Sequence, residues 1–124
     1  RVHFVGPIYG VQKLAAVREA RVFCLPSRQE GFSIAITEAL AIGLPVVVTR
    51  ACHYPEVSEV GAGIETDLDA GQVAEALVRV LKDDDLSAQM GRAGAALVRQ
   101  RFTWQQIASR SVEVYQECLQ ARGT

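Results

Sequence analysis

Two carboxylates, Glu30 and Glu38, are eight positions apart in a stretch that reads Glu-Gly-Phe-Ser-Ile-Ala-Ile-Thr-Glu. The stretch joins an apolar run, Arg21 to Leu25, to an alanine-rich segment that ends at Gly43. This order predicts a strand, a loop and a helix. At a rise of ~1.5 Å per helical residue the two carboxylates lie about 10 Å apart, too far to share a proton but suited to binding two parts of one elongated ligand.

The turn between the two carboxylates has the features of an anion-binding site. In an open parallel sheet the ligand crevice lies beyond the carboxyl ends of the strands, so the loop from Pro26 to Gly31 faces that crevice. Gly31 lacks the Cβ that would keep a ligand from the backbone. The amides of Phe32, Ser33 and Ile34 are the free donors of a helix N-terminus. The pattern favours a phosphorylated ligand.

The helix around Glu38 is apolar on nearly every face, so we expect its carboxylate to be largely buried. A buried carboxylate without a partner is energetically costly. Either a basic residue of the fold pairs with Glu38, or the hydroxyls of a ligand complete its hydrogen bonds. The residues alone leave both interpretations open.

The composition predicts one globular domain without nucleic-acid or membrane partners. The chain has 124 residues, 49% hydrophobic and 22% charged, which is enough for a core. A formal net charge of -1 with mixed signs provides no basic stripe for a nucleic-acid backbone. No segment approaches the ~20 consecutive apolar residues that span a bilayer. Cys24, Cys52 and Cys118 are far apart and form no C-x-x-C pair, which predicts neither a disulfide framework nor a metal site and favours a reduced cytosolic compartment.

Short apolar runs alternate with single helices along the first part of the chain. Strands separated by single helices pair in parallel, which predicts a Rossmann-like α/β sheet with flanking helices. The unbroken β-branched run at Val46–Val48 suits a strand buried on both faces. A helix is predicted from about Val11 to Glu19. The predicted strands are Val2–Val5, Arg21–Leu25, Pro45–Thr49 and Gly63–Thr66.

The second half of the chain is predicted to be helical. Asp83 to Asp85 are expected to separate two helices and to cap the second. A last helix opens at Thr103, which forms a capping box with Gln106. Trp104 and Tyr115 recur at helical spacing, and we interpret them as packing anchors rather than as pocket residues.

Six segments follow one another in a characteristic order. They are Leu25-Pro26-Ser27, Glu30-Gly31-Phe32-Ser33, Glu38-Ala39-Leu40-Ala41, Gly43-Leu44-Pro45-Val46-Val47, Pro55-Glu56-Val57 and Phe102-Thr103-Trp104. This order resembles the C-terminal domain of group 1 (family 4-like) glycosyltransferases with the GT-B fold, along essentially the whole chain. The two glutamates match the family's E-x7-E motif.

The resemblance implies retaining, metal-independent transfer of a sugar from a nucleotide-sugar donor, without a cofactor. Glu30, the implied catalytic residue, would hydrogen-bond the hydroxyls of the transferred sugar. Glu38 would bind the ribose hydroxyls of the nucleotide. The backbone that would meet the sugar and the diphosphate belongs to Gly31, Phe32, Ser33 and Ile34.

Two further positions are assigned by the resemblance. Gly6, Pro7 and Ile8 occupy the place of the family's loop beside the nucleobase. Where many members have Gly-Gly before the Pro-Glu pair, this chain has Cys52-His53. The side chains of these two residues are expected to narrow the crevice and so to affect which nucleotide-sugar donor fits in it.

The resemblance also implies parts that the 124 residues do not contain. These are the acceptor-binding N-terminal domain and the beginning of the donor domain, including the Arg and Lys that usually bind the diphosphate. In the sheet order 3-2-1-4-5-6, Val2–Val5 would be strand 3 and would lack its neighbours. We therefore expect a truncated fragment whose exposed strand edge is repaired by re-pairing or by another chain. The chain alone is expected to bind nucleotide sugars weakly and to be inactive, and the full-length protein to be cytoplasmic, with peripheral membrane association as an alternative.

Two other classes share parts of the pattern. A nucleotide-sugar 2-epimerase-like GT-B domain has the same fold, but its signature lacks this E-x7-E turn followed by Gly-Leu-Pro-Val-Val. A non-catalytic flavodoxin-like binding module would need an acidic phospho-acceptor at a strand end, where this chain has Pro26-Ser27 and Arg50. A G-x-G-x-x-G fingerprint is also missing.

Overall fold

The computed structural model describes residues 1–122. Short connecting helices follow β2 and α5: a 3-10 turn at Arg50–Cys52 and a π-helical segment at Val98–Phe102. The main elements, in chain order, are α1 (Gly10–Glu19), β1 (Phe23–Leu25), α2 (Ile34–Ala41), β2 (Val46–Thr49), α3 (Glu56–Glu59), β3 (Gly63–Thr66), α4 (Ala70–Lys82), α5 (Asp84–Leu97) and α6 (Trp104–Arg122).

The three strands form one parallel sheet in the order β1-β2-β3. Val47 of the central strand pairs with Cys24 on one side and with Ile64 on the other. All four residues of β2 are buried, because helices cover both faces of the strand. The predicted parallel sheet with a fully buried central strand is confirmed.

The sheet has a hydrophobic core on each face, because successive side chains of a strand point to opposite sides. Val46 and Val48 belong to the larger core, together with α2 and the end of α5. Val47 belongs to the smaller core, where it packs with Ala76 and Val80 of α4. The sheet therefore holds α2 on one face and α4 on the other.

Helices α2 and α5 pack at backbone distance. A Cβ built on Gly91 of α5 would lie 2.1 Å from the carbonyl oxygen of Gly43, just after α2. A Cβ on Gly94 would lie 2.7 Å from Cδ2 of Leu40. Both glycines are buried, and the two helices can approach this closely because glycine has no side chain.

The prediction of a strand at Val2–Val5 is wrong. Within residues 1–122 this segment pairs with no strand, and Val2, Phe4 and Val5 are exposed. A short run of strand-forming residues gains its stability from cross-strand neighbours, and none is available to Val2–Val5 within residues 1–122. The predicted re-pairing within the chain is therefore also wrong, and β1 remains an edge strand of the sheet.

The helix boundaries in the second half follow the predicted caps. Asp83 ends α4 and starts α5, and its Oδ1 accepts a hydrogen bond from the Leu86 amide at 2.9 Å. Thr103 Oγ1 accepts from the Gln106 amide at 3.3 Å at the start of α6. The interpretation of Trp104 as a packing anchor is wrong, because 86% of it is exposed, and residues 104–121 of α6 are all exposed. Tyr115 is likewise 69% exposed.

Candidate functional site

The loop before α2 lies at the carboxyl edge of the sheet, as the sequence predicts. The amide of Glu30 donates to the carbonyl oxygen of Ala51 at 3.0 Å, in the turn that follows β2. The hydroxyl of Thr49, the last residue of β2, donates to the carbonyl oxygen of Ser27. The loops after β1 and β2 are therefore fastened to each other where a parallel sheet binds its ligands.

Glu30 is half-buried and its carboxylate has a partner within its own loop. Ser27 Oγ donates to Glu30 Oε1 at 2.6 Å. The carbonyl oxygen of Glu30 lies 3.1 Å from Nδ1 of His53. With the bond to Ala51, the structure holds the amide, the carbonyl and the carboxylate of this residue. One oxygen of the carboxylate, Oε2, makes no hydrogen bond within residues 1–122.

The N-terminus of α2 presents backbone amides that no other part of the described chain uses. Ser33 is the N-cap, and its Oγ accepts from the amide of Ile36 at 3.3 Å. Across residues 1–122 the amides of Phe32, Ser33 and Ile34 have no acceptor. These donors and the positive end of the helix dipole create a positive potential at this end of α2.

Space is open in front of this backbone. A Cβ built on Gly31 would meet no atom within 4 Å, so the fold itself does not require a glycine there. The residue is exposed. A glycine that protein packing does not demand is consistent with close approach by a ligand.

The expectation that Glu38 is largely buried is wrong, because 48% of its side chain is exposed. Only one face of α2 is covered, by contacts of Ile36, Ala39 and Leu40, and Glu38 projects from the opposite side. Lys13 Nζ donates to Oε1 at 3.0 Å and to Oε2 at 2.9 Å. The sequence left either a basic residue or the hydroxyls of a ligand as the partner of Glu38. In the chain without ligand the partner is the basic residue Lys13.

An aromatic cluster packs beside the start of α2. The rings of Phe32, Tyr54 and Phe102 are mutually in contact, with centroid separations of 5.4, 5.5 and 5.6 Å. The Tyr54 hydroxyl lies 3.0 Å from Oγ1 of Thr37 in α2. Burial raises the pKa of Tyr54 above its ordinary value of 10.0, with a smaller opposing contribution from the Thr37 hydrogen bond. The cluster fixes the start of α2 against the loop that contains Tyr54.

The sequence reasoning missed three residues that position the site. Ser27 stands three positions before Glu30, a spacing at which a hydroxyl reaches a carboxylate, and this signal was readable. Lys13 is 25 positions from Glu38 and gave no local signal. Tyr54 resembles any apolar loop residue until the fold places it under α2.

The predicted nucleobase loop precedes the helix that contacts Glu38. Gly6 has a positive φ of 70°, Gly6 and Pro7 are exposed, and Ile8 is half-buried. Helix α1 begins at Gly10 and contributes Lys13 to the Glu38 pair. The loop therefore leads into the helix next to α2, and its role with a base stays a prediction.

A cavity of about 470 Å³ opens elsewhere along the carboxyl edge. Its lining is mainly apolar and contains neither glutamate. The lining residues are Pro26, Leu68, Asp69, Ala70, Val73, Ala74 and Leu77.

The described residues contain neither a metal-binding cluster nor a membrane-spanning helix. Between residues 1 and 122, no group of three or more His, Cys, Asp or Glu side chains is arranged to hold a metal ion. In the same range no helix combines the length and the apolar character needed to cross a membrane.

A known protein family matches most of the chain. The family described as "Glycosyl transferases group 1" matches residues 1–97. The chain belongs to this family. The group 1 glycosyl transferase match includes the whole of the Glu30–Glu38 turn and the three strands that position it.

Among group 1 relatives, a phosphatidyl-myo-inositol mannosyltransferase from Mycobacterium leprae is 36% identical over 119 residues, covering 93% of this chain and 31% of that protein. An MMP alpha-(1->4)-mannosyltransferase from Mycolicibacterium hassiacum is 32% identical over 123 residues, covering 95% of this chain and 29% of that protein. The chain thus spans about a third of the length of these relatives.

Solved structures of glycosyltransferases have the same fold as this chain. A sucrose-phosphate synthase from Thermosynechococcus elongatus superposes with a TM-score of 0.81 at 31% identity, over 98% of this chain and 31% of that one. The C-terminal domain of a glycosyl transferase group 1 family protein from Francisella tularensis superposes with a TM-score of 0.72 at 24% identity, over 82% of this chain and 53% of that one. The predicted Rossmann-like α/β fold of GT-B glycosyltransferases is confirmed.

Proposed function

We propose that this chain holds the nucleoside-diphosphate sugar donor of a retaining, metal-independent glycosyltransferase. One observation carries the proposal. Two carboxylates, Glu30 and Glu38, flank a helix N-terminus whose amides at Phe32, Ser33 and Ile34 have no acceptor among residues 1–122. A ligand with a diphosphate between two hydroxyl-bearing sugars matches this order of groups.

The diphosphate is assigned to the start of α2. Backbone donors at a helix N-terminus and the aligned peptide dipoles favour a negative group there. Gly31 lets the phosphate approach the backbone without a Cβ in the way. Because the diphosphate is also the leaving group, the same donors would stabilise the negative charge that develops during transfer.

The transferred sugar is assigned to Glu30. Its Oε1 is already engaged by Ser27, which leaves Oε2 as an acceptor for a sugar hydroxyl. A carboxylate that accepts from both Ser27 and the sugar is held in one orientation by the protein. Such a group can stabilise the sugar as its bond to the diphosphate breaks.

The ribose is assigned to Glu38. The carboxylate is half exposed and its ion pair with Lys13 is likewise at the surface, where such pairs contribute about 0–1 kcal/mol. Ribose hydroxyls can therefore join or replace Lys13 at little cost. The loop at Gly6, Pro7 and Ile8, just before the helix that bears Lys13, is assigned to the base.

Complete transfer is expected to need more than these residues. The chain covers 31% and 29% of the two relatives described above, and the acceptor site is assigned to an N-terminal domain of a longer protein. We expect the 124 residues alone to bind the donor weakly and not to transfer sugar. The mannosyltransferase names of both relatives make mannose the first sugar to test.

A cytoplasmic location is part of the proposal. The cysteines Cys24, Cys52 and Cys118 are all free thiols, which fits a reducing compartment. Fractionation of producing cells tests this assignment, and recovery with secreted proteins would contradict it.

Titration calorimetry tests the donor assignment. UDP, GDP and ADP are titrated into the chain, followed by UDP-glucose, GDP-mannose and ADP-glucose. We expect one base to bind best and Glu38→Gln to weaken the nucleotide about 10- to 100-fold, because a charge-assisted hydrogen bond contributes about 1.5–3 kcal/mol. Glu30→Gln should weaken the nucleotide sugar and leave the nucleotide unchanged.

Glu75→Gln is the matched control, because it removes the same charge from an exposed position on α4. It should leave both affinities unchanged. If none of the six ligands binds, or if Glu38→Gln and Glu75→Gln behave alike, the donor assignment is wrong.

A further inference from the structure

His53 has a backbone conformation that its residue type rarely adopts. Its φ of 50° and ψ of 46° place it in the left-handed region, and it is the one non-glycine residue with a positive φ among residues 1–122. Left-handed backbone is strained for a residue with a Cβ. The conformation closes the 3-10 turn after β2, where the His53 amide donates to the carbonyl oxygen of Arg50 at 3.1 Å.

The preceding residue explains the direction of the turn. Cys52 is fully buried, and its Sγ lies 3.3 Å from the carbonyl oxygen of Leu25 and 3.6 Å from Oγ1 of Thr49. With Cys52 anchored under the sheet edge, the left-handed turn brings His53 to the surface beside Glu30. The ring of His53 is exposed and belongs to neither hydrophobic core. Packing in a hydrophobic core therefore does not account for a histidine at this position.

The ring of His53 contacts the backbone of the residue assigned to the donor sugar. Nδ1 lies 3.1 Å from the carbonyl oxygen of Glu30, and the amide of Glu30 donates to Ala51 at 3.0 Å. The turn at residues 51–53 thus holds both backbone polar groups of Glu30. A carbonyl can only accept, so Nδ1 must carry the proton in this contact.

We infer that His53 is a positioning residue for Glu30, and through it for the sugar of the donor. This inference rests on the proposed function. The backbone of Glu30 is fixed by residues 51–53 and its carboxylate by Ser27, so the side chain keeps one orientation towards the donor. Loss of the His53 contact should loosen Glu30 and leave the nucleotide portion, which α2 and Glu38 bind, unaffected.

Two substitutions separate the hydrogen bond from the backbone strain. Asparagine and glycine both tolerate the left-handed region, so neither variant should be strained at this position. In His53→Asn the side-chain NH₂ replaces Nδ1 at the same distance along the side chain and can still donate. In His53→Gly the donor is absent.

The measured quantity is the ratio of the dissociation constant of the nucleoside diphosphate to that of its hexose ester, with the best-binding pair from the panel above. The ratio isolates what the sugar adds to affinity. We expect wild type and His53→Asn to give the same ratio and His53→Gly to lower it about three- to tenfold, the range of one hydrogen bond. The dissociation constant of the diphosphate alone should be equal in all three proteins. An unchanged ratio in His53→Gly, or an equal loss in His53→Asn, would overturn the inference.

A ligand-free measurement separates this inference from the proposed function. The ¹⁵N chemical shifts of the His53 ring, recorded where the ring is neutral, report which nitrogen holds the proton. We expect the Nδ1–H tautomer, and the Nε2–H tautomer would overturn the contact with Glu30 whatever the protein binds. If neither diphosphate nor hexose ester binds wild type, the proposed function fails and the positioning role falls with it.

Discussion

The single residue Tyr54 links the candidate site to the stability of the fold. Its ring lies within the aromatic cluster with Phe32 and Phe102, and its hydroxyl reaches Thr37 in α2. Only 1% of the residue is exposed. An ionised phenol in this position would lose its hydration, so the folded protein keeps the proton that the unfolded chain releases.

Stability should therefore fall at alkaline pH. Burial raises the pKa of Tyr54 above 10.0, and burial with the neighbouring Cys52 thiol raises that of Cys24 above 9.0. Above these unfolded-state values the unfolded chain binds fewer protons than the native state, so the free energy of unfolding decreases as pH rises. Urea unfolding at increasing pH should show a decline that starts near pH 9 and steepens above pH 10.

Tyr54→Phe tests the contribution of the phenol. At neutral pH we expect a loss of about 0.5–1.5 kcal/mol from the missing hydrogen bond to Thr37. Above pH 10 the variant should lose stability less steeply than wild type. Tyr115→Phe is the control, because Tyr115 is 69% exposed. Equal slopes for wild type and Tyr54→Phe above pH 10 would contradict this interpretation.

At the scale of elements, the packing of α5 against α2 holds the site helix in place. The contact is a close approach of backbones at Gly91 and Gly43. Because interiors are densely packed, a single added methyl group at such a point forces the two elements apart.

Gly91→Ala should destabilise the fold even though alanine is the better helix former. The new Cβ would lie 2.1 Å from the carbonyl oxygen of Gly43, and backbone cannot yield as a flexible side chain does. We expect a loss of about 1–3 kcal/mol in the free energy of unfolding by urea. Arg92→Ala, at the next and exposed position of α5, should change stability far less. A Gly91→Ala protein as stable as wild type would show that the helices separate without cost.

The sequence patterns were informative where local and tertiary preferences agree. The Val46–Val48 run is a buried strand because helices cover both faces, and Asp83 caps α5 as its position in the chain predicts. The Val2–Val5 run also contains strand-forming residues, two valines and a phenylalanine, but it lacks a neighbouring strand, and pairing decides whether such a run becomes a strand. Composition did not reveal which face of α2 is covered, so the exposure of Glu38 was missed.

The sequence predicted the start of α2 and its free amides better than the contacts that hold the surrounding residues. Ser33 caps α2 and the free amides lie where the E-x7-E turn places them. Lys13 and His53 act through contacts 25 and 23 positions distant in sequence, to Glu38 and Glu30 respectively. Such contacts depend on the packing of whole elements, which a single sequence does not specify.

At the scale of the whole molecule, β1 leaves one edge of the sheet open. The Phe23 amide donates to the carbonyl oxygen of Pro45 at 2.9 Å, towards β2. Amides alternate in direction along a strand, so the Cys24 amide faces the open edge. Unpaired edges are templates for a further strand, and self-association through this edge stays a prediction.

Hydrogen exchange at several protein concentrations tests self-association. We expect the Cys24 amide to become more protected as concentration rises, while the Phe23 amide, already bonded to Pro45, changes little. Sedimentation should show the mean mass rising over the same range. A monomer at every concentration with constant exchange at Cys24 would contradict this use of the edge.

The central claim is that the free amides at the start of α2 bind the diphosphate of a sugar donor, and amide NMR tests it most directly. The chain is titrated with GDP-mannose, UDP-glucose and ADP-glucose and, in parallel, with guanosine, uridine and adenosine, which lack the phosphates. We expect the diphosphate of one donor to shift the amides of Phe32, Ser33 and Ile34 most, and its nucleoside to leave them nearly unchanged. Shifts confined to other parts of the chain, or equal shifts with donor and nucleoside, would contradict the claim.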